Sequence, residues 1–243
     1  MSDKIFLPGT PPVIVEIRSS VRARRLSLRV SRLDGRVTLT VPKGVKRCDA
    51  ETFARSKAAW LRRHLARQVP AEIPDFTSVL PIEGVACVIL PAKGRRVILE
   101  AGTLQVPPGK GSPARQVEGF LKTRARDRLA EASDRHAAAL GRSYGRITLR
   151  DTRSRWGSCT VKGDLMYSWR LIMAPPVVLD YVTAHEVSHL AHMDHSPRFW
   201  ATVRKLCPEY EQPRAWLRHN GTELHRWRFR LTERPSDRSL DSC

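Results

Sequence analysis

The chain has 243 residues, 41% hydrophobic and 28% charged, which suits one large or two small domains of a globular protein. Lys and Arg number 43 against 24 Asp and Glu, a formal net charge of +19, so phosphate polymers, anionic surfaces and acidic proteins are favoured as partners. Cys48, Cys87, Cys159, Cys207 and Cys243 form no CxxC pair, and no apolar run approaches the roughly 18 residues of a membrane span, so a disulfide framework and a membrane anchor are both unexpected.

The first part reads as β-rich. Val13–Arg18 and Leu26–Val30 alternate apolar and polar residues, and Val37–Val41 is β-branched up to Pro42. Asp34-Gly35 between the last two is a hairpin signal. Arg22, Arg24, Arg25, Arg29, Arg32 and Arg36 decorate this hairpin, either as a solvated sheet face or as a contact for nucleic acid, for which no recognition motif is present. A helix is expected next, with Asp49 as its N-cap, Phe53, Trp60, Leu61 and Leu65 on one face, and Pro70 and Pro74 ending it. Strand-like runs return at Val85–Leu90, Val97–Glu100 and Thr103–Val106.

Gly109–Gly111 reads as a linker. Ser112 as N-cap and Pro113 at the first helical position open a long helix that stops at Gly141. Ile147–Arg150 and Leu165–Leu171 read as strands around an irregular turn, Ser154–Cys159, and Pro176 opens another helix. No internal repeat is evident. Beyond Gly221 the chain becomes Arg-rich and polar, the composition of a loose tail. The Met1-Ser2-Asp3-Lys4 start leads into no long apolar run, so a secretory signal is not expected and the cytoplasm is the expected location.

The helix after Pro176 carries His185-Glu186-Val187-Ser188-His189, an HExxH pattern. Residues four apart on a helix share a face, so two imidazoles can converge on one Zn2+ at about 2.0–2.1 Å each. Glu186 can then reach a water on the metal without entering the ligand set. Zinc lowers the pKa of such a water towards about 7, and a carboxylate can take its proton. A catalytic zinc needs a third protein ligand. His192 would lie roughly 10 Å along a continuous helix from His185. His195 is better placed, because Ser196-Pro197 begins a new helix and the chain must turn before it. Glu209 and Glu211 are weaker alternatives. His64 and His136 read as ordinary surface residues, and His219 or His225 could approach a substrate. Tyr167, Tyr181, Tyr210 and His219 all remain open as stabilisers of the transition state.

Several segments together resemble the YgjP-like metallopeptidase domain family, related to the SprT-like and WLM metallopeptidases. They are Arg22-Ala-Arg-Arg-Leu-Ser-Leu-Arg-Val30, Lys57-Ala-Ala-Trp60-Leu61, Ser154-Arg-Trp-Gly-Ser-Cys159, Trp169–Pro175, His185–Trp200 and Cys207-Pro-Glu-Tyr210. The whole chain is expected to be α+β, with an N-terminal β-rich subdomain with a helix (1–108), a second part (109–221) and a basic polar tail (222–243) that lies outside the likeness; for the second part the resemblance implies a zincin-like metallopeptidase core with a long helix, small sheet and HExxH helix. It implies one Zn2+ per chain, His195 as third ligand beside His185 and His189, Glu186 as catalytic base, and a peptide or protein substrate. Zincins generally bind the peptide backbone along an edge strand, expected here around Leu165–Leu171. Two other functions compete: a protease recruited to nucleic acid and acting on DNA-bound proteins, and a non-enzymatic zinc-stabilised binding module.

Overall fold

Alternation decides the first sheet. In a computed structural model of the chain, the strands β1 (Lys4–Leu7), β2 (Val13–Ser20), β3 (Ser27–Val30) and β4 (Val37–Pro42) pair in the order β1-β2-β4-β3. The outer pairs β1/β2 and β3/β4 are antiparallel and the central β2/β4 pair is parallel. Inward residues Ile5, Leu7, Val13, Val15, Val37, Leu39 and Val41 are buried against Ala50, Ala54 and Leu61 of two short helices, α1 (Arg47–Ser56) and α2 (Ala58–Ala66). The single expected helix is thus divided at Lys57, and Asp49 sits in its first turn while Lys46 holds the cap position. The structure describes residues 3–31, 35–66, 71–109 and 111–229, so Arg32, Asp34 and Pro70 lie outside it, as do residues 230–243.

The chain divides into units between Ala71 and Glu72, not at the glycines near 110. Strands β5 (Val79–Ile82), β6 (Val85–Pro91), β7 (Ile98–Glu100) and β8 (Thr103–Val106) therefore belong with the second unit. Their inward residues Leu80, Ile82, Ile89, Leu104 and Val106 share one core with the site-bearing helices. This second sheet has the order β5-β6-β8-β7, again with two antiparallel outer pairs around a parallel centre. It repeats the first. Thr38-Leu39-Thr40-Val41-Pro42 corresponds to Thr103-Leu104-Gln105-Val106-Pro107, and Arg24-Arg25-Leu26-Ser27-Leu28 to Arg95-Arg96-Val97-Ile98-Leu99. The registers agree: Leu28 faces Leu39 as Leu99 faces Leu104. Gly44 and Gly109 follow the two copies with φ of 91° and 83°, a turn conformation that suits glycine.

The long helix α3 (Pro113–Leu140) begins as expected, with the Arg115 amide donating to Ser112 Oγ, and ends at left-handed Gly141. Its buried stripe, Val117, Leu121, Ala125, Leu129 and Ala132, packs on the second core. A small sheet follows, β9 (Ile147–Arg150), β10 (Gly157–Cys159) and β11 (Leu165–Ser168), in the order β10-β11-β9. The expected strand from Leu165 stops at Ser168 and becomes a 3-10 turn, Trp169–Met173. Helices α4 (Pro176–Ser188), α5 (Pro197–Leu206) and α6 (Glu211–Asn220) complete an α+β arrangement with the long helix, small sheet and HExxH helix that were expected.

Residues 222–229 depart from the expected loose tail. Leu224, Trp227 and Phe229 are buried in the second core. The Glu72 amide donates to the Arg226 carbonyl, and the Arg228 amide donates to the Glu72 carbonyl. The buried Arg170 side chain donates to Asp151 and to the carbonyls of Leu224 and Trp227. Apolar residues among the arginines explain the difference, since long basic side chains hide them in a composition count.

Candidate metal centre

Helix α4 is apolar almost all round, and Val178, Leu179, Tyr181, Val182, Ala184 and Val187 are all buried. Its Thr183 and Ser188 hydroxyls are satisfied within the helix: Thr183 donates to the Leu179 carbonyl and Ser188 to that of Ala184. The helix ends in tightened turns, with the Leu190 amide on the Val187 carbonyl and the Ala191 amide on that of Ser188. The chain then reverses and delivers His195 just before α5. Ligand nitrogens of His185, His189 and His195 come to lie within 4.8 Å of one another. Among the described residues, His192, Glu209 and Glu211 are not in this cluster.

Each imidazole is held differently. His189 Nδ1 lies 3.0 Å from the His192 carbonyl, which assigns the proton to Nδ1 and turns Nε2 to the cluster. His185 Nδ1 is buried with no hydrogen-bond partner among the described residues, so packing orients this ring. The main packing residue is Phe199, fully buried in the first turn of α5, whose amide donates to Ser196 Oγ. Its ring centroid lies 4.9, 4.5 and 4.8 Å from those of His185, His189 and His195. Phe199 is the floor of the cluster.

The donor set suits a metal ion. Two nitrogens on one tetrahedral zinc stand about 3.3–3.4 Å apart, given ligand distances of about 2.0–2.1 Å. Nε2 of His185 and Nε2 of His195 are 3.2 Å apart. Burial, followed by the neighbouring imidazoles and Arg214, pushes the pKa of His185 down to about 3, and burial chiefly lowers that of His189. Both are therefore neutral near pH 7, the form that coordinates metals.

Glu186 is 5% exposed. Burial pushes its pKa up to about 8 against the opposing charge of Arg155. Its side chain lies against Gly157 at the start of β10, where a β-carbon would fall 2.5 Å from Cγ and Oε1 of Glu186. The irregular turn Ser154–Cys159 is a packed corner, with Trp156 against His225 at 5.0 Å. It also supplies the glycine that admits the carboxylate. β11 is the middle strand of its sheet and β10 and β9 are the outer ones, so the edge expected around Leu165–Leu171 is not found there.

The other candidates separate clearly. His136 is buried and bonded to Asp180 at 2.9 Å, contrary to the expected surface position. His64 is exposed beside Trp60. His219 bonds the Ala215 carbonyl. The Tyr167 hydroxyl is spent on Ser133 within the core. Tyr181 packs edge-on against His185, and Tyr210 stacks between Tyr181 and Trp200. Cys159 is part-buried, with its thiol pushed up to about 11 chiefly by burial, and is not a member of the cluster. Phe199 and Trp200 entered the sequence reading only as part of the segment His185–Trp200, and Arg214 not at all.

The profile of the family described as "YgjP-like, metallopeptidase domain" matches residues 24–220. The chain belongs to the YgjP-like metallopeptidase family. The YgjP-like match runs from the second strand pair of the first sheet to the end of α6 and includes all three histidines. No curated protein matches the chain. The crystal structure of the metallopeptidase zymogen abylysin from Pyrococcus abyssi is similar over 41% of this chain and 97% of its own, at 20% identity and a TM-score of 0.35. No helix among the described residues is long and apolar enough to cross a membrane.

Proposed function

We propose that this metallopeptidase-family chain hydrolyses peptide bonds with one zinc ion held by His185, His189 and His195 and with Glu186 as general base. One observation carries the reading: three imidazoles converge within 4.8 Å beside a buried carboxylate. When bound, zinc supplies Lewis acidity that polarises a carbonyl and acidifies water. Glu186 would accept a proton from water and pass it to the leaving amine. Phe199 keeps the three rings in register, and Gly157, having no β-carbon, admits the carboxylate. The outer edge of β10, next to Glu186, suits an extended peptide added as a further strand. The four cysteines among the described residues are free, which fits a reducing, cytoplasmic setting.

The test is a comparison of Glu186→Gln with His185→Ala. The first should keep about one zinc per chain and lose cleavage of a general protein substrate; the second should lose both. A chain that cleaves peptides equally well as Glu186→Gln overturns the reading. A non-enzymatic zinc module has no need of a buried carboxylate beside its ligands, and retained cleavage-free zinc binding in the native chain would favour it.

A second reading has its own observation. Residues 1–71 carry 16 Lys and Arg against 5 Asp and Glu, a denser positive charge than the remainder of the chain. That clustering favours a peptidase brought to nucleic acid. Binding to an oligonucleotide should then weaken steeply with salt, because released counterions drive it. A flat salt response removes the reading.

A further inference from the structure

Arg214 stands out when the charges around the cluster are followed to their partners. Glu211, its neighbour on α6, is paired with Arg204 at 3.4 Å. Asp180 on α4 is held by Arg135 and His136. Asp151 is held by Arg170. Arg214 has no carboxylate partner among the described residues. Its guanidinium lies 4.4 Å from the ring centroid of Trp200. That ring is 5.7 Å from His185 and 6.1 Å from His195. The cation is thus one indole away from the cluster, and its charge also bears on Tyr181 one helical turn before His185.

This placement has a cost. Arginine stays charged at every working pH, and a fixed cation opposes a metal ion bound nearby. The face of Trp200 offsets part of that charge. The guanidinium N–H groups, with no carboxylate partner among the described residues, suit a carboxylate received in bidentate fashion. Arg214 is half-buried, so its side chain is partly shielded from water and still reachable.

We infer that Arg214 is a specificity residue that receives a carboxylate of the peptide substrate beside the bond to be cut. The inference rests on the peptidase reading of the same site. The carboxylate comes either from an acidic side chain or from a free C-terminus, and the test separates the two.

The zinc-loaded full-length protein is given quenched peptides that differ at one flanking position, Glu, Gln or Lys, each with a free or an amidated C-terminus. Wild type should favour one carboxylate-bearing form over its neutral counterpart by about tenfold or more in kcat/KM, mainly through KM. Arg214→Gln should reduce that ratio to near one. Arg214→Glu should invert it in favour of the Lys peptide, a reversal that loss of structure cannot produce. The same peptides are bound to zinc-loaded Glu186→Gln and to Glu186→Gln/Arg214→Gln, followed by fluorescence anisotropy, so the charge preference is read even without turnover. Equal affinity of Glu186→Gln for carboxylate and neutral forms overturns the inference, as does an unchanged preference in Arg214→Glu. Absent cleavage with a charge preference kept in the binding arm counts against the peptidase reading and leaves the carboxylate site standing.

Discussion

Gly157 and Glu186 meet across the gap between β10 and α4 so closely that a β-carbon on the first would fall 2.5 Å from Cγ of the second. The glycine is a spatial requirement of the carboxylate, and its backbone has no left-handed φ to justify it otherwise. Gly157→Ala should therefore displace Glu186 and leave the histidines untouched. We expect kcat/KM to fall by roughly 10- to 100-fold, since a displacement near 1 Å can cost that much. Zinc content, measured by metal analysis, should stay at the wild-type value. Equal loss of zinc would mean that β10 supports the whole cluster.

Phe199 touches all three imidazoles, so its removal should act on metal affinity as well as on stability. Phe199→Ala should cost about 3–5 kcal/mol of folding free energy. It should weaken zinc binding by about 10- to 100-fold, as loss of residues that support ligands does. Phe199→Leu keeps most of the volume and should lose affinity with a smaller change in stability. A competitive chelator titration beside a denaturation curve separates the two effects.

Metal should stabilise the chain by mass action if the histidines hold it. At a free zinc concentration one hundred times Kd the gain is about 2.7 kcal/mol, a rise of about 5–10 °C in Tm for a unit of this size. His195→Ala should abolish most of that rise, whereas His192→Ala should keep it, because His192 contributes its backbone carbonyl to His189. Thermal scans with and without chelator read this directly.

Asp151 gives a pH dependence whose sign is fixed. Burial pushes its pKa up, yet the hydrogen bonds and charge of Arg170 outweigh burial and hold it below the usual carboxylate range. Its contribution to stability is therefore complete above the ordinary value of about 3.9 and is lost as pH falls through the lower folded value. The difference in unfolding free energy between wild type and Asp151→Asn should be full at neutral pH and shrink in strong acid. Arg170→Met should cost more, about 3 kcal/mol, because it also strands the buried carbonyls of Leu224 and Trp227.

The elements that sequence made legible are those with strong local chemistry. Ser112-Pro113, Gly141, Pro176 and Ser196-Pro197 mark helix ends through caps and fixed φ, and each is found where expected. The HExxH spacing and the turn before Ser196 pointed to the three histidines that cluster. What escaped was non-local. The strand order of the small sheet depends on pairing across the chain, so β11 could not be told from β10 as the edge. Phe199, Trp200 and Arg214 gain their roles only from packing against a distant helix. The repeat of the two four-stranded sheets also escaped, because the connection from β3 to β4 is longer than that from β7 to β8, and the two copies fall out of a fixed period.

That repeat sets up a natural control inside one polypeptide. Leu39 and Val41 serve a core of their own, while Leu104 and Val106 serve the core that carries the histidines. The same Thr-Leu-x-Val-Pro pattern thus serves two different cores. Substitutions in the second copy should be filtered by both folding and catalysis, those in the first by folding alone, and a saturation scan scored for abundance and for activity would show the two copies diverging in tolerance.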